Sequence, residues 1–134
     1  MRLFLDANVL FTAAHNPAGK ARFLFEAAEQ EAWRLITSDY AIEEARRNLH
    51  RKFPSVVSDL DGLSAHIERV MHDPSLACPP GLREKDQPIF SAARGARATH
   101  LLTGDLRDFG KLMNKPDESF GILIQTVAQF LASI

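Results

Sequence analysis

Four short apolar runs, at residues 2–5, 33–36, 99–103 and 121–124, are separated by stretches whose apolar residues recur at helical spacing. This alternation leaves few architectures open. Consecutive strands lie parallel in one sheet, and helices cover both of its faces. The first helical region starts near Asn8, breaks at Asn16-Pro17-Ala18-Gly19 and resumes from Lys20 to Glu31. A second starts near Asp39, sets Ile42, Ala45 and Leu49 on one face, and stops at Pro54. Val56, Leu60, Leu63, Ile67 and Val70 predict a helix over 56–70, followed by a loop over 74–81 with a short strand around 76–78. Asp86-Gln87-Pro88 opens the next helix, with Ile89, Ala93 and Ala96 inward. Thr126-Val127-Ala128-Gln129 has capping-box spacing and opens a last helix expected to turn Val127, Leu131 and Ile134 inward.

The chain has 134 residues, the size of one ordinary domain, so a single domain over 1–134 is expected. With 46% hydrophobic and 25% charged residues, its composition excludes the disordered class. No apolar stretch approaches the roughly 18 residues of a membrane span, and no signal-peptide pattern is visible. One cysteine, Cys78, cannot form an internal disulfide and fits a reducing cytoplasm. The net charge of −1 does not exclude a nucleic-acid partner, because acids gathered in one site would cancel basic residues elsewhere.

Leu3-Phe4-Leu5-Asp6-Ala7-Asn8-Val9-Leu10-Phe11 sets one carboxylate inside a run that otherwise reads as core. An ionised Asp buried alone is costly, so it calls for a partner or a metal. Parallel sheets bind ligands at the carboxyl ends of their strands. Asp6 ends the first strand there, and Asp105 follows Leu101-Leu102-Thr103-Gly104, with Asp108 three residues on. The helix after the second strand begins at the same edge and carries Glu44 in its first two turns. Asp86 begins the helix that leads into the 99–103 strand. Four acids from four segments therefore converge, and some must protonate unless cations compensate. Oxygen-rich sites of this kind suit magnesium or manganese. Each acid also has a structural reading: Asp86 as an N-cap, Glu44 as a partner of Arg47 or Arg51, Asp105 and Asp108 as turn residues. Taken together, those readings require four coincidences at one edge.

These stretches, in this order, resemble the PIN-domain ribonucleases, particularly the stand-alone prokaryotic toxins of toxin–antitoxin pairs. Leu5-Asp6-Ala7-Asn8-Val9-Leu10 looks like the family's opening strand and first acid. Ser38 to Leu49 resembles its Ser-then-Glu helix, in a register that puts Glu44 at the second acid. Asp86-Gln87-Pro88-Ile89-Phe90-Ser91-Ala92-Ala93 is similar to the third-acid helix, and Leu101 to Phe109 to the fourth-acid turn, with Asp108 as its variable extra carboxylate. Gly121 to Thr126 looks like the closing strand, although Val127 stands where a Pro often follows.

The resemblance implies a three-layer α/β/α PIN-like fold with a central parallel sheet. It implies a metal-dependent endoribonuclease that hydrolyses phosphodiester bonds of single-stranded RNA, leaving a 5′-phosphate and a 3′-hydroxyl. Asp6, Asp86 and Asp105 would hold Mg2+ or Mn2+, Glu44 would bind through water or orient the nucleophile, and Asp108 would assist. Asn8 and Thr103 would fix the carboxylates by hydrogen bonds, and for Asn8 a plain helix N-cap stays equally open. Lys20, Arg47 and Arg107 stand near the acidic edge as candidate contacts to RNA phosphates. An antitoxin protein and a homodimer are the partners the resemblance implies. Two alternatives remain. A haloacid-dehalogenase-type phosphatase also starts with a strand-end Asp but wants a second Asp where this chain has Asn8. An inactive PIN-like module would bind RNA or protein without cutting.

Overall fold

The computed structural model describes residues 1–134. Five strands, β1 (Arg2–Leu5), β2 (Arg34–Ser38), β3 (Glu68–Val70), β4 (His100–Leu102) and β5 (Leu123–Gln125), form one all-parallel sheet in the order β3-β2-β1-β4-β5. Leu3, Phe4 and Leu5 are all fully buried. A central strand is covered on both faces, so it reads as a continuous apolar run and not as an alternation. The edge strand β3 is the opposite case. Its Glu68 carboxylate pairs with Arg2 at 3.0 Å and Arg34 at 3.8 Å, which holds a polar edge against the sheet.

Seven helices cover the sheet: α1 (Ala7–His15), α2 (Lys20–Ala27), α3 (Asp39–Lys52), α4 (Val57–Ser64), α5 (Gln87–Gly95), α6 (Leu106–Phe109) and α7 (Val127–Ser133). The order runs outward from β1 to β3, and right-handed crossovers place α1 to α4 on one face. The return from β3 to β4 puts α5 on the other, where it packs against β2. The core joins both layers through Phe4, Leu10, Leu24, Leu49, Phe90 and Phe130. Each such side chain contributes about 1.5–3 kcal/mol by leaving water. No helix is long and apolar enough to cross a membrane.

Three sequence expectations need correction. The helix predicted over 56–70 ends at Ser64, and residues 68–70 are the edge strand β3. Ile67 and Val70 continue the helical spacing only by coincidence: Ile67 lies in the bend before β3, and pairing of β3 with β2 fixes Val70 opposite Ser38. No strand forms around residues 76–78. The capping box at Thr126 does form, with Oγ1 accepting from Gln129 N and Gln129 Oε1 accepting from Thr126 N, both at 3.0 Å. The helix it starts buries Phe130, however, while Ile134 is exposed and Val127 and Leu131 are only half-buried. Phe130 wins because Trp33 and His100 both meet its ring edge-on, at 5.1 Å.

Candidate metal centre

β1 lies between β2 and β4, and the chain leaves it in one direction and β4 in the other. Such a switch point opens a crevice at the carboxyl ends of the two strands. Asp6 stands at the end of β1 and caps α1, its Oδ1 accepting from Ala7 N at 2.7 Å. Its Oδ2 accepts from Thr103 Oγ1 at 2.8 Å and from Asn8 Nδ2 at 3.2 Å. Thr103 follows β4, is fully buried, and also accepts from Asp105 N at 3.0 Å. Asn8 closes the ring by accepting from Gly104 N at 2.6 Å. A Cβ at position 104 would lie 3.3 Å from Asn8 Oδ1, so glycine there keeps the β4 turn close to α1.

The remaining acids come from three elements. Asp105 caps α6 through Oδ1, which accepts from Asp108 N at 3.0 Å, and its other oxygen stays free of that cap. Asp86 ends a 3₁₀ turn at Glu84–Asp86 and precedes α5 without capping it. One oxygen each from Asp86, Asp105 and Asp108 lie within 4.8 Å of one another. Glu44, half-buried on α3, forms no ion pair with Arg47 or Arg51, and Arg51 bonds Asn48 instead at 3.1 Å.

This geometry carries an electrostatic cost. Asp6 is 4% exposed, and burial pushes its carboxyl up to about 6 against the pull of Thr103 and Ala7, with the charges of Glu44 and Asp105 raising it further. Asp86, 6% exposed, is pushed up to about 7 by burial and by its contact with Asp108. The Lys85 ammonium holds Asp108 well below the usual carboxylate range. Asp86 Oδ2 is buried with no hydrogen-bond partner at all. A carboxylate oxygen in that condition needs a cation or a proton.

A family model for the PIN domain matches residues 2–107. The chain belongs to the PIN-domain family. No curated protein matches its sequence significantly. Among solved structures, VapBC2 from Rickettsia felis, bound to a DNA fragment from its promoter, is 14% identical, with 94% of this chain and 98% of that chain covered and a TM-score of 0.67. DNA-bound VapBC from Salmonella typhimurium is 18% identical, covering 95% and 98%, with a TM-score of 0.62. VapC20 from Mycobacterium tuberculosis, a Sarcin-Ricin loop cleaving toxin, is 14% identical, covering 81% and 94%, with a TM-score of 0.50. At such identities the likeness is one of fold, and the fold is the PIN-like α/β/α sandwich.

Within this PIN domain the predicted acids do not gather as one quartet. Asp86, Asp105 and Asp108 make the tight group, while Asp6 lies outside it, close enough to Asp105 and to Glu44 to feel both charges. The predicted RNA contacts are scattered. Lys20 lines an open cleft of about 480 Å³ with Asn8, Thr103 and Gly104. Arg107 is exposed on α6, beside the acids. Arg47 lines a groove on the outer face of α3 with Glu43, Arg46 and His50. Sequence reasoning missed Arg83 and Lys85, which reach Asp108 at 3.3 and 3.0 Å. Their nearness to Asp86 in sequence was the available signal.

Thr103 ties these parts together, so Thr103→Val isolates its hydroxyl at nearly constant shape. The change leaves Asp105 N and Asp6 Oδ2 each short of a partner, and is expected to cost about 1–3 kcal/mol. Thermal melts at pH 7 check this, with Thr103→Ser restoring the loss. Equal melting of wild type and Thr103→Val would contradict it.

Proposed function

We propose that this PIN domain, a single domain over 1–134, is a metal-dependent endoribonuclease that hydrolyses single-stranded RNA and serves as the toxin of a toxin–antitoxin pair. The observation that carries this reading is Asp86 Oδ2, buried without a partner inside three clustered carboxylates. The donor set is all oxygen and open to solvent on one side, which fits Mg2+ or Mn2+. Asp86, Asp105 and Asp108 would hold the ion, with Asp6 completing the acidic edge. The ion supplies a more acidic water and charge neutralisation at the phosphate.

The chain's own groups do the rest. Thr103 and Asn8 fix the Asp6 carboxylate at the switch-point crevice, beside the acids that would hold the ion. Glu44, beside Asp6, orients the attacking water. Lys20 and Arg107 flank the acidic edge on separate elements and meet phosphates, and Arg47 meets the strand further out. The VapBC complexes among the structural relatives support an antitoxin partner. A groove of about 570 Å³, with an apolar floor that includes Phe25, Trp33 and Ile67 and a rim of Arg22, Glu26 and Glu29, suits an amphipathic segment of that partner. A homodimer and a cytoplasmic location, where Cys78 stays reduced, complete the reading.

The test uses the purified chain, labelled single-stranded RNA and Mn2+ or Mg2+, with and without chelator. Internal cleavage that needs the metal is expected. Cleavage that persists in chelator would overturn metal dependence. Phosphate released from small monoesters while RNA stays intact would favour the phosphatase, and RNA binding without cutting the inactive module.

A further inference from the structure

The acidic group already contains a cation of the chain's own. Lys85 Nζ lies 3.0 Å from Asp108 Oδ2, 3.7 Å from Asp86 Oδ1 and 4.0 Å from Asp105 Oδ2. It reaches all three carboxylates, whereas Arg83 reaches only Asp108. The ammonium thus stands among the oxygens that a divalent ion would bind, and two cations cannot share so small a space without strong repulsion.

Lys85 is also built to leave. Its backbone is tied down, since Tyr40 Oη donates to the Lys85 carbonyl at 3.1 Å from the first turn of α3. Its side chain is 53% exposed, so a rotation of the four-carbon stem takes the ammonium to solvent without disturbing the turn. The anchored main chain keeps the released charge at the acidic edge, where a phosphate must approach.

We propose that Lys85 is a tethered cation that neutralises the acidic group in the metal-free protein, is displaced by the divalent ion, and then contacts the substrate phosphate. The proposal rests on the metal-nuclease reading above. It makes Lys85 a competitor for metal and a contributor to substrate binding at once, two effects of opposite sign on removal. An ordinary surface lysine produces neither, and a plain metal-site residue produces only loss.

Calorimetric titration of Mn2+ into wild type, Lys85→Met and Lys85→Gln separates the cases, with Lys115→Met as a control. Lys115 pairs with Glu118 at 3.9 Å on another part of the chain. Removal of a half-exposed competing ammonium is expected to tighten Mn2+ binding about fivefold or more in both Lys85 variants. The same variants should melt lower than wild type in chelator. Their KM for RNA should rise while kcat changes less. Mn2+ affinity that is unchanged or weaker in both Lys85 variants overturns this proposal alone. Absence of Mn2+ binding in wild type as well overturns it together with the metal-site reading. Circular dichroism guards the comparison, and Lys85→Gln, which stays polar without the charge, stands in if Lys85→Met fails to fold.

Discussion

Asp86→Asn is expected to abolish RNA cleavage and, at pH 8 without metal, to raise the melting temperature. The two effects have one cause. Asp86 is buried, its Oδ2 has no partner, and its carboxyl is pushed up to about 7. Above that pH the folded chain must carry a buried charge there that the half-exposed Lys85, 3.7 Å from Oδ1, offsets only in part, which costs stability. An amide of the same shape carries none. On the proposed metal-nuclease reading, the charge that harms the metal-free fold is what a divalent ion needs, so the neutral variant would give up a ligand and its transition-state stabilisation. A loss of at least about 10²–10³-fold in cleavage is expected. Parallel melts and single-turnover cleavage on the same preparation make the check. A variant that keeps a tenth of wild-type activity, or that melts lower than wild type, contradicts the assignment.

The second large effect is on stability against pH. Asp6 and Asp86 both have folded-state carboxyls above the ordinary value of 3.8, at about 6 and about 7. Between 3.8 and those values the folded chain binds more protons than the unfolded one. The stabilisation is therefore full below pH 3.8 and is lost as pH rises through 6 to 7. Asp108 acts with the other sign but in another window: its carboxyl is depressed, so its contribution is lost only as pH falls below the ordinary range. His100, whose ring burial lowers, opposes the trend near pH 6 as a single group. Between pH 5 and 8 the part still to be lost, up to about 6 at Asp6 and about 7 at Asp86, corresponds to about 3–4 kcal/mol. For a domain of this size, the metal-free protein should melt about 5–10 °C lower at pH 8 than at pH 5. Mn2+ at pH 8 should recover most of the loss, because it binds the ionised forms. The difference between the wild-type and Asp86→Asn profiles isolates the Asp86 share from the histidines. A flat or rising profile in chelator, or no response to Mn2+, contradicts the account.

Much of this was legible in the chain. The run around Leu3-Phe4-Leu5 announces a doubly covered strand, and a carboxylate directly after it must sit at the strand's end. Alternation then puts Asp105 at the same edge, because every parallel strand points the same way. What spacing could not give was distance. It left Asp6, Glu44, Asp86 and Asp105 as equals, whereas the fold draws Asp86 and Asp105 to Asp108 and leaves Asp6 to the hydroxyl of Thr103. The edge strand was missed for a related reason. Three residues cannot display a period of two, and β3 owes its form to the neighbouring β2. Lys85 was hidden because its meaning depends on the 3₁₀ turn that brings its stem around to the acids.

The bond from Thr103 to Asp6 joins residues 97 positions apart. On a ribosome, that span sets an order of events. Asp6 emerges early, with its helix-capping partner Ala7 beside it but no hydroxyl for its second oxygen. Only when the chain has been extended past Asp108 can the acidic edge assemble. A nascent chain of this protein therefore cannot close its acidic edge until the 103–108 turn has left the ribosome, however early Asp6 emerges.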